Sequence, residues 1–185
     1  MQQRELIRIS KFLSLILRHR PDRIGLALDR HGWADVDELI ACARRHGVAL
    51  DRALIEQVVA KNDKQRFTLS ADGRQIRANQ GHSLPVDLQL APVTPPELLY
   101  HGTAGRFMAS IKREGLRPGN RQHVHLSVDE ATALAVGRRH GQPVVLVVRA
   151  AAMAAAGYPF YCAANGVWLT GQVPVAFIEF PPEAN

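Results

Sequence analysis

Residues 66–78 read "RFTLSADGRQIRA", with apolar Phe67 and Leu69 in alternation, a turn through Asp72–Gly73 and a return carrying Ile76. Alternation of period two on both sides of an Asp-Gly pair predicts a β-hairpin, because successive strand side chains face opposite ways. The residues before it follow a different period. Leu6, Ile9, Leu13, Ile16 and Leu17 recur at i, i+3 and i+4, which predicts a helix ending near His19–Pro21, where the proline disfavours helical backbone in the residue before it. The run "DVDE" starts a second helix, with Asp35 as cap and Glu38 three residues on; it continues through Val36, Leu39, Ile40 and Ala43 and stops at Gly47. A third follows Asp51, with Leu54, Ile55, Val58 and Val59 on one face. Three short helices and a two-stranded wing predict a winged-helix module, a variant of the helix-turn-helix that often binds nucleic acid and in many cases binds only protein.

Beyond the hairpin the pattern changes. Residues 84–97, "LPVDLQLAPVTPPE", hold four prolines and no helical periodicity, as a linker does. The expected boundaries are a lobe over 1–88, a linker over 89–96 and a second lobe over 97–185. The second lobe carries short apolar runs, "LLYHGT", "HVHLS", "PVVLVVRA", "GVWLT" and "VPVAFIEF", separated by helical pieces at 106–114 and 129–139, while "RAAAMAAAG" reads as an ordinary short helix. The whole chain is therefore of the α+β class.

Hydrophobic residues make up 46% of the 185 and charged ones 22%, a balance that supports a buried core and excludes a disordered chain. The net charge of +6 points to an anionic partner such as nucleic acid. The excess leans N-terminal: residues 1–90 hold 15 Lys and Arg against 11 Asp and Glu, and residues 91–185 hold 8 against 6. Cys42 and Cys162 stand far apart and in no zinc-like spacing, so a reducing cytoplasm is the expected location. No apolar run approaches the ~18 residues of a membrane helix, and the first residues mix Arg, Glu and Lys with their apolar ones, unlike a signal peptide.

Several stretches carry groups capable of chemistry. The first helix ends in "LILRHR", residues 15–20, where Arg18, His19 and Arg20 either complement the helix dipole or present cations to a ligand. In "LLYHGT", His101, Gly102 and Thr103 place an imidazole, a closely approachable backbone and a hydroxyl at one strand end; a satisfied core histidine and a pocket edge are both consistent with this. In "RPGNRQHVHLS", Arg121 precedes alternating His123 and His125, which suit a hydrogen-bonded strand face better than a metal pair, since no acidic or Cys ligand lies near. The pair Asn165–Gly166 in "FYCAANGVWLT" is a turn signal that simple hairpin chemistry would also produce.

Taken in order, "LSLILRHRP", "KQRFTL", "IRANQGHS", "LYHGT", "GNRQHVHLS", "VGRRHGQPVVL" and "AANGVWLT" closely resemble the RNA 2′-phosphotransferase family, over about residues 8–180. The resemblance implies an N-terminal winged-helix RNA lobe and a C-terminal NAD lobe of the ADP-ribosyltransferase type. It also implies a two-step reaction. An internal RNA 2′-phosphate attacks the nicotinamide ribose of NAD⁺, expelling nicotinamide and leaving 2′-phospho-ADP-ribosylated RNA. The ribose 2″-hydroxyl then attacks that phosphate, releasing 2′-hydroxyl RNA and ADP-ribose 1″,2″-cyclic phosphate.

The same resemblance implies site residues. The catalytic set falls on Arg18, His19, Arg66 and Arg121, with His19 protonating the departing 2′-oxygen; Arg20 has no role in the match. His101 and Thr103 take the ribose side of NAD and the Gly102 backbone the nicotinamide amide, with Ser127 and Asn165 as further pocket residues. Arg139 meets the pyrophosphate, Arg138 being the alternative. Asn79, Gln80 and His82 contact RNA sugar or phosphate.

Fixed cations aimed at a phosphorus centre stabilise the charge that gathers there, so two or three arginines suffice and no metal is expected. Between Glu130 and Glu179 there is no Asp or Glu, which fits an acceptor that is already anionic. Glu179 keeps open an ADP-ribosyltransferase acting on protein or nucleic-acid ends. A winged-helix regulator that senses NAD without catalysis is a third reading. A monomer is expected.

Overall fold

The computed structural model describes residues 2–62 and 64–182. The chain divides into two compact units, residues 1–89 and 90–185, so the division falls inside the proline-rich stretch.

The first unit contains α1 (Gln2–Arg18), β1 (Ala34–Asp35), α2 (Val36–Arg45), α3 (Arg52–Ala60), β2 (Phe67–Leu69) and β3 (Gln75–Ala78), with a short 3-10 turn at Pro21–Ile24. The helix starts follow from capping. Asp35 accepts the Glu38 N–H at 2.9 Å and Asp51 accepts that of Leu54 at 2.8 Å, each satisfying a donor that the first helical turn leaves without a partner. The periodic face of α1 supplies Ile9, Leu13, Ile16 and Leu17, all fully buried against Leu39, Ile55, Phe67 and Ile76. Burying each such side chain contributes ~2 kcal/mol, which anchors the helix whose last residue is Arg18.

The hairpin of β2 and β3 forms as its alternation predicts, pairing Phe67 with Ala78 and Leu69 with Ile76. Its loop is tied by Asp72, whose Oδ1 accepts from the Ser70 hydroxyl and the Arg74 N–H. The sheet has three strands and not two, in the order β1-β3-β2, because Ala34 and Asp35 pair with Ile76 and Gln75. Two residues are too few to show an alternation, so only the tertiary structure reveals this strand.

The second unit contains β4 (Leu99–Ala104), α4 (Met108–Glu114), β5 (Val124–Leu126), α5 (Glu130–Gly137), β6 (Pro143–Val148), α6 (Ala150–Ala155), β7 (Phe160–Cys162), β8 (Trp168–Thr170) and β9 (Ile178–Glu179). They form two antiparallel sheets of order β4-β6-β9 and β5-β8-β7, joined where Tyr100 and Ser127 exchange both backbone hydrogen bonds at 2.8 Å. The core between them holds Leu99, Leu126, Leu146, Val148, Met153 and Phe160. The helix expected at 129–139 ends at Gly137 and tightens into a 3-10 turn over Arg138–His140. The run "VPVAFIEF" is mostly not strand: a 3-10 turn occupies Val175–Phe177 and only Ile178–Glu179 pairs with β6.

The stretch expected as a linker is held at both ends. Asp87 accepts from His31 Nδ1 through its carbonyl at 2.9 Å, and the Val93 N–H donates to the Phe160 carbonyl at 2.8 Å. Cys42 and Cys162 are free thiols. No helix among the described residues is long and apolar enough to cross a membrane.

Candidate active-site residues

In the first unit the "NQGHS" loop, residues 79–83, organises the cationic residues. Arg18, only 9% exposed, closes α1, and its guanidinium lies against Gly81, where an added Cβ would stand 3.6 Å away. The Ser83 N–H donates to the Arg18 carbonyl at 3.0 Å, and Ser83 Oγ lies 3.0 Å from His19 Nδ1. One end of the loop holds Arg66. Asn79 donates from its backbone N–H to the Arg66 carbonyl at 2.9 Å and from Nδ2 to the Gln65 carbonyl at 2.6 Å, while its Oδ1 accepts from the Thr68 hydroxyl. The Arg66 guanidinium donates to Asn62 Oδ1 at 3.1 Å.

This placement refines the expectation for "RANQGHS". Asn79 is 6% exposed with both ends of its amide engaged, and His82 is 1% exposed. These two side chains shape the loop beneath the surface; Gln80 is half-buried and Ser83 exposed. The His82 pKa is lowered to about 4, first by burial and then by the charges of Arg18, His19 and Arg77. His82 is thus a neutral ring under the cationic pair. Arg20 turns away and pairs with Asp22 at 3.0 Å.

In the second unit β4 carries the site. Its alternation directs Gly102 toward α5, so closely that a Cβ there would meet the Ala133 carbonyl oxygen at 1.7 Å. His101 and Thr103 take the opposite face. His101 Nδ1 donates to the His125 carbonyl at 3.0 Å; a carbonyl can only accept, so Nε2 holds the lone pair. Burial lowers the His101 pKa, the hydrogen bond to His125 opposes this, and the charge of His140 lowers it further. His101 is accordingly a neutral acceptor. Tyr100 spends both backbone groups on Ser127, and the alternation of the strand points the Gly102 N–H and carbonyl to that same side, where no strand continues the pairing among the described residues.

Arg121 stands at the surface beside this face, donating to His125 Nδ1 at 3.4 Å. Its pKa is lowered by desolvation and then by the charge of Arg139. The 3-10 turn after α5 thus carries two charges felt at this site, that of Arg139 at Arg121 and that of His140 at His101. Neither arginine forms an ion pair among the described residues. Glu179, the carboxylate that the sequence left in reach, instead lies 4.0 Å from Arg149. Sequence reasoning missed His140, whose only signal was its place in the "GRRHG" run.

The two strand histidines have different partners. His123 packs edge-to-face on Tyr161, with centroids 5.8 Å apart, and His125 serves His101 and Arg121. No group of three or more His, Cys, Asp or Glu gathers as a metal site among the described residues. Asn165 belongs to a three-residue hairpin loop between Ala163 and Val167, so the turn reading of Asn165–Gly166 holds.

Comparison with known proteins places the chain in a family. A family model described as RNA 2'-phosphotransferase, Tpt1 / KptA family matches residues 4–172. The chain is 62% identical over 176 residues to a probable RNA 2'-phosphotransferase of Agrobacterium fabrum, covering 95% of each chain. It is 58% identical over 179 residues to one of Shigella boydii, covering 96% of this chain and 97% of the other. With the RNA 2'-phosphotransferase of Escherichia coli K12 it shares 57% over 179 residues, covering 96% and 97%. A match over nearly the whole length at this identity shows that the chain belongs to the RNA 2'-phosphotransferase, Tpt1 / KptA family, and so is a transferase.

Proposed function

We propose that this protein is an NAD-dependent RNA 2′-phosphotransferase that converts an internal RNA 2′-phosphate to a 2′-hydroxyl, working as a cytoplasmic monomer. In this reading residues 1–88 are a winged-helix RNA lobe and residues 97–185 an ADP-ribosyltransferase-like NAD lobe. The observation that carries it is Arg121, which stands 3.4 Å from His125 and feels the charge of Arg139, neither arginine having an ion pair among the described residues, beside a His101 whose Nδ1 is spent on the His125 carbonyl. Cations kept together without counter-ions are poised for an anion, and a lone-pair imidazole is poised for a hydroxyl.

A dinucleotide fits this donor set. Arg139 would hold the pyrophosphate, His101 Nε2 would accept from a ribose hydroxyl, with Thr103 on the same strand face, and the Gly102 backbone edge would meet the carboxamide. Ser127 and Asn165 complete the NAD side. When bound, NAD⁺ supplies an electrophilic ribose carbon with nicotinamide as leaving group.

The chain's own groups act on the RNA phosphate. Arg18, Arg66 and Arg121 grip its oxygens and stabilise the charge that grows there, a task that guanidinium forks perform without a metal. His19, held through Nδ1 by Ser83, gives the proton that the departing 2′-oxygen requires. Gln80 contacts the RNA sugar or phosphate from the loop that orders Arg18.

The test is incubation with NAD⁺ and an oligoribonucleotide bearing one internal 2′-phosphate. Conversion to the 2′-hydroxyl, with release of nicotinamide, is expected. Absence of both that product and any ADP-ribosylated RNA overturns the reading.

A further inference from the structure

A groove of about 710 Å³ runs along the first unit. One wall is α1, which contributes Gln3, Ile7, Ser10 and Ser14; these recur at helical spacing, so they form a single stripe ~16 Å long. The next position on that stripe is Arg18. The opposite wall is the end of α3 and the approach to β2, contributing Lys61, Asn62, Lys64 and Arg66.

The groove thus meets the proposed catalytic residues from both walls. Arg66 itself closes one side, and Arg18 lies one turn beyond Ser14 on the other. Lys11, Lys61, Lys64 and Arg66 line it. The same groove is lined by Leu6 and by Ile7, which is 51% exposed. Cations along a channel that also offers apolar surface suit a strand of alternating phosphates and bases.

We infer that this groove binds the single-stranded RNA flanking the 2′-phosphorylated nucleotide, Lys11 and Lys61 contacting its backbone phosphates. The inference rests on the proposed function for the identity of the RNA. It adds that substrates extending into the groove are preferred over minimal ones, through affinity and not through the chemical step.

The test compares the wild-type protein with the double variant Lys11→Ala, Lys61→Ala on two substrates, each with one internal 2′-phosphate: a trinucleotide and a single-stranded dodecamer. Expected for the variant are a raised KM on the dodecamer, an unchanged kcat and unchanged kinetics on the trinucleotide. Binding of an unphosphorylated dodecamer across a salt series supplies the second readout. Losing two phosphate contacts reduces the slope of log K against log salt by ~1.4, so wild-type affinity falls about sevenfold more than the variant's between about 50 and 200 mM salt. Equal slopes, or equal losses on both substrates, overturn the inference. If neither protein consumes either substrate, the proposed function fails, while the salt series still decides whether the groove holds RNA.

Discussion

His19 Nδ1 and Ser83 Oγ lie 3.0 Å apart although 64 positions separate them in the chain. The Ser83 hydroxyl has one proton, and Oγ donates it to the Arg18 carbonyl at 3.5 Å. It therefore accepts from His19 Nδ1–H, which leaves Nε2 as the nitrogen for the proton transfer proposed for this ring. The backbone of Arg18 and the ring of His19 are fixed by one side chain.

That coupling predicts non-additive kinetics. His19→Ala should lower kcat ~10²-fold or more, the range for a lost general acid. Ser83→Ala should lower it less, through misorientation, and in the His19→Ala background it should have no further effect. A double-mutant cycle on kcat checks this; additive losses would separate Ser83 from the imidazole.

His82 predicts a pH-dependent stability. Its folded pKa of about 4 lies below the usual value of 6.5, so between these pH values the unfolded chain binds a proton that the folded chain does not. Stability from this group is present in full above about 6.5 and is lost as pH falls toward 4. From pH 7 to pH 5 the loss is about 2 kcal/mol. Denaturant midpoints of wild type and His82→Leu at the two pH values should show the variant with the flatter dependence.

Gly102→Ala tests the packing of β4 on α5. The new methyl would meet the Ala133 carbonyl oxygen at 1.7 Å, so the helix must retreat. Overpacking of this kind costs ~1–3 kcal/mol or more. The melting temperature should fall and NAD binding weaken with it, because α5 runs into the turn that contains Arg139. An unchanged melting temperature would show that the helix yields freely.

Arg121 and Arg139 predict different kinetic signatures. Arg139→Ala should raise KM for NAD⁺ with a smaller change in kcat, as loss of a group that only binds does. Arg121→Ala should lower kcat ~10²-fold, and Arg121→Lys should not restore it, since an ammonium lacks the planar fork. Steady-state kinetics in both substrates separate the two.

Chelation should leave turnover unchanged, because the proposed stabilisation of the phosphate uses guanidinium groups throughout. Rates measured with and without a divalent-metal chelator check this.

Much of the chain was legible from local rules alone. Asp35 and Asp51 cap the helices that their positions announce, the α1 stripe is buried, and Phe67 and Leu69 pair in the hairpin that their alternation predicts. These features are set within a few residues by hydrogen-bonding and by hydrophobic period, which one sequence displays. The order of motifs likewise identified the family, since seven matched segments leave little freedom.

What the tertiary structure decided concerns partners distant along the chain. Asn79 and His82, expected to touch RNA, are buried and shape the loop around Arg18 and Arg66. Gly102 is small because α5 presses on it. The charge of Arg139 is felt at Arg121 and that of His140 at His101, across the turn after Gly137. Burial, tautomer and charge coupling depend on which atoms surround a side chain. Those neighbours come from strands and helices tens of residues apart, so no local pattern of residues encodes them.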